Sequence, residues 1–366
     1  MKISYINLSK QYLNQRKKIL SILDKTLKTG KFVGGDEVEK FEKNISRFLK
    51  VKYCVALNSG TDALTLGLHA VGVKKNDEVI TTPNSFIAST AVIVHLGAVP
   101  VFVDVKKDQC IDPNLIEKAI TKRTKAIMVV HLTGRVCDMD KITKISKKYK
   151  IPIIEDAAQS IGSRYDKKFS GSFGTVGCFS AHPLKNLNAI GDSGYLTTNS
   201  YKIAKYIKDI RNHGMTNRNK IYNFGFVSRM DNLQAAILNF RLKKLKSVIK
   251  KRRQNVKIYE KNLNTKYIFV PPEKEKEFNT YHTFVVQVSK RNQLKKYLKK
   301  NGIETAIHYP IPIHLQPAAQ KLNYKTGDFK VTEKQARLIL TLPINEFLKK
   351  TEIIKICKTI NKFYEN

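Results

Sequence analysis

The stretch Tyr53-Cys54-Val55-Ala56-Leu57-Asn58-Ser59-Gly60-Thr61-Asp62-Ala63-Leu64-Thr65-Leu66-Gly67-Leu68 changes its periodicity halfway along. Tyr53 to Leu57 is a short apolar run that suits a buried strand. From Asp62 onward the apolar residues recur at helical spacing. The link Asn58-Ser59-Gly60-Thr61 is tight and carries a glycine. A strand, a glycine turn and a helix start together form an anion cradle. The free N–H groups of the first turn point at the anion, and the helix dipole favours it. A plain capped turn is the simpler alternative.

Working outward, the same alternation repeats. Glu78-Val79-Ile80-Thr81 reads as a strand, and Ala88 to Leu96 as a helix closed by Gly97. Val99 to Val103 is the next strand, with Pro100 pointing to an edge position or a strand start. Ala126 to Val130 is a fully apolar strand, followed by a helix from Met139 to Tyr149. Ile151 to Glu155 is another strand, with Asp156 at its carboxyl end. Gly177 to Ser180 and Gly194 to Thr197 add two more. Upstream, Asp24 to Lys50 reads as helix, a break at Gly34-Gly35, then helix, with Val38, Phe41 and Ile45 on one face.

The pattern predicts the α/β class: a mostly parallel, mixed sheet covered by helices on both faces. Ligands of such sheets lie beyond the carboxyl ends of the strands, where Thr61, Asp156 and Ser180 all fall. After about Leu245 the character changes. A long basic helix leads to Tyr267-Ile268-Phe269-Val270, a charged tract Glu273 to Glu277, a strand Thr283 to Val288 and a helix Arg291 to Lys300. The expected division is a large domain over 1–245 and a smaller α+β domain over 246–366.

The 366 residues and 42% apolar content allow a substantial core. No apolar run reaches about eighteen residues, so no membrane span is expected. Met1-Lys2-Ile3-Ser4-Tyr5 lacks an apolar signal core, which points to the cytoplasm. The five cysteines are scattered without a Cys-x-x-Cys pair, arguing against disulfides and against a structural metal site. Cys178 and His182 read as packing rather than as ligands. The net charge of +37 raises nucleic-acid binding as a possible class. Its lysines are spread along the whole chain, and the densest clusters, around Lys243 to Arg253 and Lys295 to Lys300, are spaced like wet helix faces. Neither nucleic acid nor membrane is expected as a partner, and the charge serves at most to attract a phosphate-bearing substrate.

One further stretch carries chemistry: Phe179-Ser180-Ala181-His182-Pro183-Leu184-Lys185-Asn186-Leu187. Pyridoxal phosphate needs an amine for its aldehyde, a carboxylate for its ring nitrogen, a phosphate cup and a flat surface against the ring. Lys185 is the candidate amine for a Schiff base. Asp156 is the candidate carboxylate. Gly60, Thr61 and Ser180 form the cup, and Phe86 is placed to stack.

These residues lie in motifs that resemble the DegT/DnrJ/StrS family of nucleotide-sugar aminotransferases. The matching segments are Asn58 to Leu64, Glu155 to Ser160, Phe179 through Lys185 to Gly194, Ser228 to Ala236, and Ile307-His308-Tyr309-Pro310 through Pro317. They span nearly the whole chain in the family's order. The resemblance implies a pyridoxal-phosphate-dependent transferase of fold type I, with Gln159 on the cofactor's ring hydroxyl. It implies a homodimer with shared active sites, glutamate as amino donor and a keto-sugar nucleotide as acceptor. Arg229 would meet a carboxylate or sugar phosphate in the partner's site, and His308 and Tyr309 would approach the nucleotide sugar. Asp192, where the 4-keto branch usually has Glu, favours a 3-keto sugar; a 4-keto sugar is the alternative, and a polyanion-binding regulator is the reading from another class. Lys185 itself argues against the family's dehydratases, which carry histidine there. Two departures stand out. Val227 replaces an asparagine that reaches the neighbour's cofactor phosphate, with Ser228 as a possible substitute, and Val136 replaces a proline.

Overall fold

The computed structural model describes residues 2–217 and 219–365. In chain order, α1 (Leu8–Leu27) and α2 (Asp36–Leu49) lead into β1 (Tyr53–Leu57), α3 (Gly60–Ala70), β2 (Glu78–Thr81), α4 (Ala88–His95), β3 (Val99–Phe102), α5 (Pro113–Ile116) and β4 (Thr124–Val130). Next come α6 (Met139–Tyr149), β5 (Ile153–Asp156), a hairpin of β6 (Arg164–Tyr165) and β7 (Lys168–Phe169), β8 (Val176–Ser180), β9 (Gly194–Thr198) and α7 (Tyr201–Ile210). The hairpin β10 (Met215–Asn217) and β11 (Lys220–Ile221) precedes α8 (Asn232–Leu242) and α9 (Leu245–Asn262). The last part holds β12 (Ile268–Phe269), β13 (Glu277–Phe278), β14 (Phe284–Val288), α10 (Arg291–Lys300), α11 (Lys330–Leu338), β15 (Ile339–Leu342) and α12 (Lys350–Glu365).

The central sheet has seven strands in the order β1-β9-β8-β5-β4-β2-β3. β3, β2, β4, β5 and β8 pair in parallel. β9 is antiparallel to both β8 and β1, so β1 runs with the parallel set. The carboxyl ends of β1, β2, β5 and β8 therefore open onto one edge. β3 is an edge strand, where the missing N–H of Pro100 costs least.

The two faces of the sheet are separately packed. In β1, Val55 and Leu57 join a cluster with Leu64 and Leu68 of α3 and Ile207 of α7. Cys54 and Ala56 point the other way, into a cluster with Phe41 and Ile45 of α2 and Leu238 of α8. This is the period-two alternation of a strand buried on both sides. Each large side chain so buried contributes about 1.5–3 kcal/mol. A separate core lies under the three-stranded sheet β12-β14-β15, where Val256 and Tyr259 of α9 meet Ile353 and Ile356 of α12. Ile3, from the other end of the chain, completes it through a bridge to Ile303.

The first helix is longer than the sequence pattern indicates, beginning at Leu8 rather than near Asp24. Only Ile19 and Thr26 are buried along it, so it has no continuous apolar stripe to read. The break before α2 requires glycine: Gly34 and Gly35 have φ of 70° and 100°.

Candidate active site

The carboxyl-end edge of the sheet gathers the chemistry. Ser59 caps α3, its hydroxyl accepting from Asp62 N–H at 3.0 Å. The Gly60 and Thr61 amides have no acceptor among the described residues. A Cβ at Gly60 would lie 2.6 Å from Ser180 Cβ, so α3 can approach the end of β8 only with glycine there. The result is a cradle of free amides at a helix N-terminus beside a hydroxyl, a site that favours a dianion.

Asp156 ends β5, with its carboxylate held by neighbours. Ser89 of α4 donates to Oδ2 at 2.7 Å, and Ala158 N–H donates to Oδ1 at 3.2 Å. Burial pushes its carboxyl up, while Ser89, Ala158 and nearby Lys185 hold it down. Behind it, Glu155 faces the opposite side of the strand. Its four acceptor positions take the amides of Gly171, Phe173 and Gly174 and the Nε2 of His131. Cys137 N–H donates to His131 Nδ1, which leaves Nε2 to carry the proton toward Glu155. This network fixes the end of β5 and the approach of β8.

Lys185 lies in the loop between β8 and β9. Burial pushes its ammonium down to about 8, with Asp156 pulling the other way. A substantial neutral fraction therefore exists near neutral pH, as a nucleophilic amine requires. Around it, Tyr309 accepts from Gln159 Nε2 at 3.4 Å, and Gln159 Oε1 accepts from Thr133 N–H at 2.8 Å. The Tyr309 phenol is pushed up to about 12 by burial and by Asp156, so it stays protonated. Phe86 is half exposed, its ring 6.0 Å from that of Tyr309. His308 shares Nδ1 with Thr341 Oγ1 at 2.8 Å, and burial beside Lys185 lowers it to about 4.

Lys185, Asp156, Gly60, Thr61, Ser180, Gln159, Phe86, His308 and Tyr309 thus border one region. Arg229 stands apart from this network: it donates to Asn212 at 3.1 Å, and its buried Nε has no partner among the described residues. Ser228 is not a free substitute for the missing asparagine. It is fully buried, its hydroxyl 3.3 Å from Asn58 Oδ1 of its own chain. Val227 is exposed.

Sequence reasoning did not find Ser89 or His282. A lone serine in the first turn of α4 has no signature. His282 lies far along the chain in the smaller part, and burial together with Lys185 and Arg252 keeps it neutral. No cluster of His, Cys, Asp and Glu able to hold a metal occurs among the described residues.

A group carrying an aldehyde, a basic ring nitrogen and a phosphate fits this edge. The unfilled amides, the glycine-only approach to Ser180, the held carboxylate and the buried amine each meet one of its parts. Comparison with known proteins agrees. The model of the DegT/DnrJ/EryC1/StrS aminotransferase family matches residues 14–361. The chain is 37% identical over 361 residues to the UDP-2-acetamido-2-deoxy-3-oxo-D-glucuronate aminotransferase of Pseudomonas aeruginosa, covering 98% of this chain and 99% of that one. It is 36% identical over 370 residues to the pleiotropic regulatory protein of Geobacillus stearothermophilus, covering 100% of both. Among solved structures, NtdA of Bacillus subtilis with bound cofactor PMP superposes with a TM-score of 0.92 at 35% identity, covering 99% of this chain and 85% of that one.

Proposed function

This chain belongs to the DegT/DnrJ/EryC1/StrS aminotransferase family, and from that premise we propose that it transfers the amino group of glutamate to a dTDP- or UDP-linked 3-keto sugar. Its cofactor is pyridoxal phosphate. When bound, that group supplies an aldehyde for amines and a protonated ring that draws electrons from the carbon bearing nitrogen. The observation that carries the reading is the buried Lys185 amine within charge-interaction range of the held carboxylate of Asp156.

The chain's own residues would divide the work. Asp156 would pair with the ring N–H and keep it charged. The Gly60 and Thr61 amides and the Ser180 hydroxyl would hold the phosphate. Gln159, now bonded to Tyr309, would offer its Nε2 to the ring hydroxyl, and Phe86 would cover the ring face. Lys185 Nζ, as a free amine, would accept a proton from the donor's α-carbon as base and give it up again as acid. His308, neutral, and Tyr309, protonated, offer hydrogen bonds to sugar hydroxyls without adding charge.

The working unit in this proposal is a homodimer. Phe32, Val33, Leu184, Ile190, Tyr222 and Phe224 are exposed apolar residues. Several flank the Lys185 loop or the start of α8, where Gln234 holds Ile190 from both sides. A second copy covering them would bring Arg229 to the neighbour's substrate. The substrate would lie between the lobes 1–245 and 246–366. Five free cysteines, all buried, suit a reducing cytoplasm, and no helix among the described residues is long and apolar enough to cross a membrane.

Purified protein is expected to show a visible absorbance band that borohydride bleaches, and Lys185→Ala to lose both the band's covalent link and turnover. Mass spectrometry of products from glutamate and a panel of 3-keto and 4-keto sugar nucleotides tests the acceptor. Product from the 4-keto panel alone would replace the 3-keto assignment. Full activity in Lys185→Ala would end the transaminase reading.

A further inference from the structure

A groove of about 540 Å3 lies away from Lys185, between α9, the end of α2 and the β6–β7 hairpin. Its floor is aromatic. Phe48 and Phe169 are half-buried with ring centroids 5.6 Å apart, and Phe278 lies beside them. Its rim is cationic. Lys246, Lys250, Arg253 and Lys257 form one stripe of α9 at helical spacing, and Arg164 faces them from β6.

The cations are unequally engaged. Arg253 is bonded to both oxygens of Glu273, at 2.6 and 2.9 Å. Arg164, Lys246, Lys250 and Lys257 have no carboxylate within ion-pair distance among the described residues. The two guanidiniums lie over Phe278, at 4.1 Å for Arg253 and 4.3 Å for Arg164. These contacts keep the Arg164 guanidinium in place without neutralising it.

Phe48, Phe169 and Phe278 pack one side against the core cluster of α2 and α8 and leave the rest of their half-buried rings to the groove. Ring surface left open beside unpaired cations offers a face on which a flat group can stack. The volume matches one small ligand rather than a protein segment. The chemistry is that of a flat aromatic body joined to a multiply charged anion.

We propose that this groove is a second ligand site, separate from the catalytic edge, that takes a nucleoside diphosphate. The base lies on the Phe48–Phe169 pair, and the phosphates meet Lys246, Lys250 and Arg164. The site does not depend on the transaminase reading, since none of its residues belongs to the catalytic edge.

The test is calorimetric titration of the cofactor-loaded protein with ADP, GDP, UDP and dTDP separately, comparing wild type with Arg164→Ala/Lys250→Ala. For at least one diphosphate, the double variant should bind one molecule fewer per protomer, or bind it at least tenfold more weakly. Its kcat and KM for amino transfer should not change. Lys250→Glu/Lys257→Glu, two exposed positions that leave the floor intact, should give the same loss. Binding identical in wild type and both variants for all four diphosphates would overturn the proposal. So would inorganic pyrophosphate binding as tightly as the best nucleotide, because the aromatic floor would then contribute nothing.

Discussion

At the residue scale, two groups with opposite environmental shifts face each other. Burial drives Lys185 toward its neutral form and Asp156 toward its protonated one. A cationic ring beside Asp156 restores its charge, because an opposite charge in contact favours ionisation. Asp156→Asn removes that partner and should cost on the order of 3–5 kcal/mol of ring-nitrogen stabilisation. The expected readout is a loss of turnover of at least a hundredfold, with the protein still folded by circular dichroism. Lys185 also makes a stability prediction for the cofactor-free protein. Its folded pKa of about 8 lies below the ordinary 10.5, so between those values the unfolded chain binds more protons. Stability should therefore rise with pH across that window. Urea midpoints of wild type minus Lys185→Met, measured from pH 8 to 10.5, isolate the effect; a flat difference would refute it. Lysine identity was legible in its motif, but its shifted pKa was not, since that depends on what folds over it.

At the scale of elements, close approach decides which positions tolerate a side chain. A Cβ on Gly194 would lie 2.2 Å from the Ser59 carbonyl, which is backbone and cannot move aside. Gly194→Ala should break the β1–β9 register at Leu57 and lower the unfolding midpoint severely or abolish soluble yield. At Gly60 the obstacle is Ser180 Cβ at 2.6 Å with Ser180 Cα at 3.0 Å, a milder overlap than at Gly194 but one that only a backbone shift relieves. Gly60→Ala should push the start of α3 off β8 and weaken cofactor phosphate binding about tenfold, roughly 1.4 kcal/mol, by equilibrium dialysis. All seven central strands were visible in the sequence because each is a short apolar run bounded by turns. The first sixteen residues of α1 were not, because it buries so little that periodicity carries no signal. Ser89 escaped for a related reason: its contact with Asp156 joins two elements far apart in sequence, and a single hydroxyl has no pattern.

At the scale of the molecule, apolar exposure rather than charge indicates what else binds. The net charge of +37 is spread over the surface and fixes no partner. Two of the most exposed aromatics lie close together. Phe224 is 103% exposed and Tyr222 is 70%, both on the segment that runs from β11 toward Arg229. Apolar rings this exposed are what a subunit contact would cover. The proposed homodimer makes them anchors worth about 2 kcal/mol each. Tyr222→Ser/Phe224→Ser should then raise the dimer dissociation constant by on the order of several hundredfold. Neither side chain is packed in its own chain, so folding should survive. Sedimentation should show wild type at twice the chain mass and the double variant shifting to a single chain on dilution. Amino transfer should fall in step, because each site would lose the Arg229 lent by its neighbour. Wild type sedimenting as a single chain with full activity would overturn the shared-site reading while leaving the Lys185–Asp156 chemistry intact.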